Sequence, residues 1–256
     1  MVSLSIAEWP QNSWALSERA YLNGATGKFD DALADAERLK ASDAEYAGNV
    51  RRTLLFDAGR YPEALAEVTA QEKLTAKDHS LAWSKAAIYV KMGNAVGARK
   101  IYADLRSNFR NDATQLNSLC WEQAKLNFDL ATALIDCEAA IRAKPGVSAY
   151  LDSAGFVLFR LGRFAESIAK YDTSIAKVPR QVMSIYGRGL AKLALGDAAG
   201  SKDLVAARNI DGKTELAFRL MGLNAPSSGA AASPHIPTTA PSISATSDPG
   251  NSVSKR

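Results

Sequence analysis

The stretch Leu161-Gly162-Arg163-Phe164-Ala165-Glu166-Ser167 decides the fold. An apolar residue closes one helix, a glycine turns the chain, and an aromatic opens a second helix that carries a small residue. The same phrase returns as Thr26-Gly27-Lys28-Phe29-Asp30-Asp31-Ala32 and Ala58-Gly59-Arg60-Tyr61-Pro62-Glu63-Ala64. It returns again as Met92-Gly93-Asn94-Ala95-Val96-Gly97-Ala98 and Leu195-Gly196-Asp197-Ala198-Ala199-Gly200-Ser201. Successive glycines stand 32, 34, 69 and 34 residues apart. The gap of 69 spans two periods, so one copy, centred on Leu126–Ala133, has lost its glycine. A fixed period of this size, with helical patterning on both sides of a turn, is the mark of a repeat array.

The pattern resembles the tetratricopeptide repeat. With the turn glycine numbered 15, small residues belong at positions 8 and 20, where the paired helices cross. Position 8 holds Ala20, Arg52, Ala86, Gly155 and Gly189; position 20 holds Ala32, Ala64, Ala98, Ala133, Ser167 and Ser201. Position 24 holds Val68, Tyr102, Tyr171 and Val205, with Cys137 and Ala36 as poorer matches. Pro145 and Pro179 stand at position 32, where a proline stops the second helix. The resemblance implies an all-α solenoid of about six helix–turn–helix repeats, near 13–44, 45–77, 79–112, 113–146, 148–181 and 182–212. Each hairpin has an apolar stripe that it buries only by stacking on a neighbour. A capping helix over 213–222 covers the last stripe, and residues 1–12 form an N-terminal extension. Residues 224–256 turn abruptly to Ser, Ala, Pro and Thr and read as a disordered tail.

Two copies depart from the pattern. Arg52 is large for a helix crossing, so repeat two is expected to pack loosely there. In repeat four, a one-residue insertion in the turn seats Leu116, Leu119 and Cys120 inward at positions 4, 7 and 8.

Composition narrows the function. Lys and Arg number 31 against 27 Asp and Glu, an excess too small for a nucleic-acid footprint. No segment approaches the roughly 20 apolar residues that span a bilayer, so no membrane insertion is expected. The start, Met1 to Pro10, shows no signal-peptide pattern. The chain reads as cytoplasmic as written, or periplasmic if it is a fragment of an envelope protein.

Chemistry-bearing motifs are weak. Gly196–Lys202 has the wrong spacing for a phosphate loop, and Asp152-Ser153-Ala154 lies inside a helix. His79 and His235 have no second ligand at metal spacing. Acidic residues such as Asp30, Asp31, Glu63 and Glu67 complement the starts of second helices. Cys120 and Cys137 fall at core positions and read as buried, inert thiols. A disulfide stapling the hairpin in an oxidising compartment is the alternative. No catalytic residue, cofactor or metal is expected, and the chain reads as a non-enzyme.

In tetratricopeptide arrays, positions 2, 5, 9, 12 and 13 line the concave face. Carried over, these positions give Trp14 and Tyr21 in repeat one, Tyr46, Asn49 and Phe56 in repeat two, and Trp83 in repeat three. Repeat four gives Trp121, repeat five gives Phe156, Phe159 and Arg160, and repeat six gives Tyr186. The resemblance therefore implies an aromatic groove that binds an apolar or extended protein segment. The bland alternative is that these aromatics pack between repeats. No Lys–Asn pair stands where chaperone-binding members hold a terminal carboxylate, which rejects that clamp. Self-association through the end repeats stays open. A second reading makes the chain an accessory region of a larger bacterial protein, possibly envelope, transglutaminase-like or protease-containing.

Overall fold

The computed structural model describes residues 12–73 and 79–223. The N-terminal extension up to residue 11, the 224–256 tail and His235 lie outside the described residues. Thirteen helices are seen among the described residues. They are α1 (Ser13–Ala25), α2 (Phe29–Leu39), α3 (Ala44–Asp57), α4 (Tyr61–Glu72), α5 (His79–Lys91) and α6 (Ala95–Asn108). There follow α7 (Ala113–Lys125), α8 (Leu130–Ala143), α9 (Ser148–Arg160), α10 (Phe164–Lys177), α11 (Val182–Ala194), α12 (Gly200–Ile210) and α13 (Thr214–Leu220). Each odd helix packs against the even helix after it, and successive pairs stack into an α-solenoid. The described residues hold no helix long and apolar enough to cross a membrane.

The turns explain the glycine register. Gly27, Gly59, Gly93, Gly162 and Gly196 all have positive φ, between 73° and 80°. The amide after each glycine then donates back to a carbonyl five residues earlier, as Arg163 does to Leu158 at 2.9 Å. That closes the first helix and reverses the chain. In repeat four Asn127, at φ 51°, takes the glycine's place, and Phe128 donates to the Gln123 carbonyl. Asparagine tolerates the left-handed region better than most residues. Leu116, Leu119 and Cys120 are buried there, as the insertion requires.

In repeat five the crossing is tight where the repeat pattern puts it. Tyr171 is enclosed between two glycines of neighbouring first helices, Gly155 and Gly187. A Cβ on Gly155 would stand 2.8 Å from the ring. Ser167, at position 20, donates to the Gly155 carbonyl at 2.7 Å across the same crossing. In repeat two, close approach moves to Gly48, where an added Cβ would collide with Gln71. Arg52 is half-buried and donates to Asn49 at 3.0 Å and to Gln71.

Two expectations need correction. In repeat six the crossing residue is Gly200, not Ser201, and the large buried residue is Leu204, not Val205, which is exposed. The reason is local. The Ala199 amide donates to the Asp197 side chain, a tight turn that delays α12 until Gly200 and moves its inward face by one residue. Cys120 and Cys137 are not free thiols but a disulfide joining α7 to α8. The hairpin brings their Cα atoms to 5.3 Å, within bridging range, and both residues are buried.

Ion pairs join paired helices in a way the small-residue template does not register. Arg19 grips Asp35 through both oxygens, Arg188 does the same to Asp203, and Arg51 meets Glu67 at 3.2 Å. A basic residue at position 7 with an acid some sixteen residues later is the readable signal.

Candidate functional site: a divided concave groove

The concave face is open over the first four repeats. Trp14 is 62% exposed, and Tyr21 and Tyr46 lie open beside each other. The Tyr21 hydroxyl is raised by partial burial and then by neighbouring Tyr46; partial burial also raises the Asp57 carboxyl, although that residue is exposed overall. Further along, α3, α5 and α7 splay around a cleft of about 410 Å³. Arg52, Phe56, Trp83, Ala87, Ser118 and Glu122 are among its lining residues.

Two half-buried aromatics anchor this cleft. Phe56 packs edge-on to Tyr61, 5.5 Å between centroids. Trp83 stacks on Phe109 and meets Tyr102 edge-on, each at 6.4 Å. Their partners hold both rings in place while one side of each faces the cleft, a rigid, low-entropy arrangement suited to a binding anchor. Asn49 is half-buried, does not line the cleft, and accepts a hydrogen bond from Arg52, which does.

The sequence template passed over Arg52, Gln115 and Ser118 as groove residues. Arg52 occupies a crossing position, yet its side chain turns into the cleft. Gln115 and Ser118 fall one residue past groove positions once the repeat-four insertion is counted. Among the described residues no cluster of three or more His, Cys, Asp or Glu could hold a metal.

The groove is closed over the last repeats. Phe156, Phe159, Arg160 and Tyr186 are all buried, not exposed on the groove as their repeat positions imply. For Phe156 and Tyr186 the physical reason is α13, which packs over this face. Phe218 of α13 sits 4.6 Å from the Tyr186 ring and 5.9 Å from Phe156. Leu223 and Met221 join the same apolar cluster. Trp121 is half-buried at the border and tilts onto Phe156 at 5.2 Å.

Below that floor lies a buried polar chain. Ser148 and Ser174 meet at 2.8 Å, as do Ser174 and Ser184, and Ser184 donates to Asp152 at 2.5 Å. Burial pushes the Asp152 carboxyl up to about 6, against the pull of the Ser184 hydrogen bond.

Glycine-turned hairpins, small residues at the crossings and a concave face built from first helices together decide the architecture. The fold is that of the tetratricopeptide repeat. A tetratricopeptide repeat protein from Parabacteroides merdae superposes with a TM-score of 0.52 at 17% identity, over 82% of this chain and 88% of that one. The chain of the APC/C Cut9–Hcn1 hetero-tetramer gives 0.51 at 14% identity, covering 86% of this chain and 44% of that one. Yeast Tom70 gives 0.50 at 14% identity, over 86% of this chain and 56% of its own. No protein-family model matches the chain. No curated protein matches it either. This tetratricopeptide array thus shares its fold with the superposed structures and keeps a sequence far from theirs.

Proposed function

We propose that this chain is a protein-interaction module that holds a segment of a partner protein in the open half of its groove. The observation that carries the reading is the cleft between α3, α5 and α7, where Phe56 and Trp83 face a space of about 410 Å³. Trp14, Tyr21 and Tyr46 extend the same face toward the N-terminus. An extended segment with apolar side chains fits this chemistry. Its side chains would cover the rings, and its backbone would meet Ser84, Gln115 and Ser118 along the cleft. No catalytic role is proposed.

The test is affinity capture on the full chain, wild type against a Phe56→Ala/Trp83→Ala pair, with partners identified by mass spectrometry. The pair of substitutions should abolish recovery of the main partner while helical circular dichroism is unchanged. Undiminished recovery would show that the cleft is not the site. The buried Cys120–Cys137 disulfide supports the second reading, an accessory array of a larger envelope protein. Such bonds persist in oxidising compartments.

A further inference from the structure

The closed half of the groove carries its own message. α13 does not simply continue the stack. Its Phe218 reaches back past α11 to Phe156 on α9, and so lies on the concave face. A short helix with one aromatic anchor is therefore already seated where a partner would sit. Seven residues form no stable helix in isolation, so folding and docking of α13 are one equilibrium. Leu216 and Leu220, on its outer side, stay exposed.

A second observation concerns Arg160. The residue is 5% exposed, and its hydrogen bonds among the described residues go to main-chain carbonyls and not to a carboxylate. It donates to the main-chain carbonyls of Met221, at 2.5 Å, and Lys125, at 3.5 Å, and lies 5.1 Å over the Phe156 ring. Its Nε atom is buried with no hydrogen-bond partner. Burial lowers its pKa to about 10. A guanidinium taken out of water is ordinarily matched by a carboxylate. Here a neutral carbonyl stands in that place.

We propose that the groove over Phe156, Tyr186 and Arg160 is a second binding site, for a partner segment bearing an aromatic side chain and, one helical turn beyond it, a carboxylate. α13 is the placeholder of that site. Its Phe218 fills the aromatic seat, and its Met221 carbonyl occupies the anion position. A competing segment gains a charge-assisted hydrogen bond to Arg160 that α13 lacks. This site is separate from the open cleft and stands or falls without it.

The probe is a labelled ten-residue peptide of sequence Gly212–Met221, made with a free terminal carboxylate and as the amide. Full-length Phe218→Ala chain, its cap released, should bind the free acid about tenfold tighter than the amide. Adding Arg160→Met should erase that difference, a peptide lacking the Phe should not bind, and Trp83→Ala should change nothing. Equal binding of acid and amide, or binding of neither, overturns the proposal. Should Phe218→Ala unfold the array, hydrogen exchange on the wild-type chain decides instead. Amides of 214–221 should exchange faster than those of α9 to α12, and faster still with the free-acid peptide. Protection equal to α9–α12, and indifferent to the peptide, overturns it.

Discussion

Repeats one to four and repeats five and six are built on one plan, yet their concave faces differ. In the first region Trp14, Tyr21, Tyr46, Phe56 and Trp83 border open space. In the second, Phe156 and Tyr186 are core residues under α13, and Phe159 is buried against Phe164 of α10. The same residue class at the same repeat positions is thus available for binding in one half and consumed by folding in the other. Position within a repeat sets the direction of a side chain. What covers it depends on which later element packs back over it, here α13.

The contrast can be broken by mutation. Phe156→Ala should be the costliest change, about 3–5 kcal/mol, because it empties a packed site shared by Trp121, Phe218 and Arg160. Thermal melting followed by circular dichroism measures it. Reduction of the disulfide should come next. Its Cys residues are 17 apart, and a loop of that size is worth about 3 kcal/mol. A melting midpoint unmoved by reductant would show the staple to be inert.

Asp152 should sharpen the same contrast through pH. Its folded pKa, about 6, lies above the ordinary value, so the folded state holds its proton more tightly than the unfolded one. Its contribution to stability is therefore fully present at acid pH and lost as pH rises toward and through 6. Asp152→Asn keeps an acceptor for Ser184 and cannot ionise. The variant should be more stable than wild type at pH 7 by on the order of 2 kcal/mol, with the gap vanishing near pH 4. Denaturant titrations at the two pH values give the answer. At the small end, Trp14→Ala and Tyr46→Ala in the open half should shift stability by less than about 0.5 kcal/mol.

Much of the fold was legible because the signals were local. A turn glycine with a small residue five positions on is written within one turn in five copies, and three of them carry an aromatic in between. The copy without a glycine is legible only as the stretch Leu126–Ala133; that Asn127 performs the turn is seen in its positive φ. The register of repeat six departs from the pattern because the Asp197 turn delays its helix, and the spacing alone does not record that. The state of the groove was half legible. The face to which Phe156 and Tyr186 belong follows from periodicity. Their burial depends on Phe218, some sixty residues after Phe156 and thirty after Tyr186, folding back over them. A capping helix was expected, but its turn into the groove arises from tertiary packing. The cysteine pair was similar: two core positions were evident, while their closeness across the hairpin belongs to the assembled repeat.

The division of the groove is tested most directly by hydroxyl-radical footprinting of the native chain, read residue by residue by mass spectrometry. Trp14, Tyr21 and Tyr46 should be modified rapidly and Trp83 measurably, while Phe156, Phe159 and Tyr186 stay protected until the array unfolds. Comparable modification of both groups in the folded chain would contradict the division.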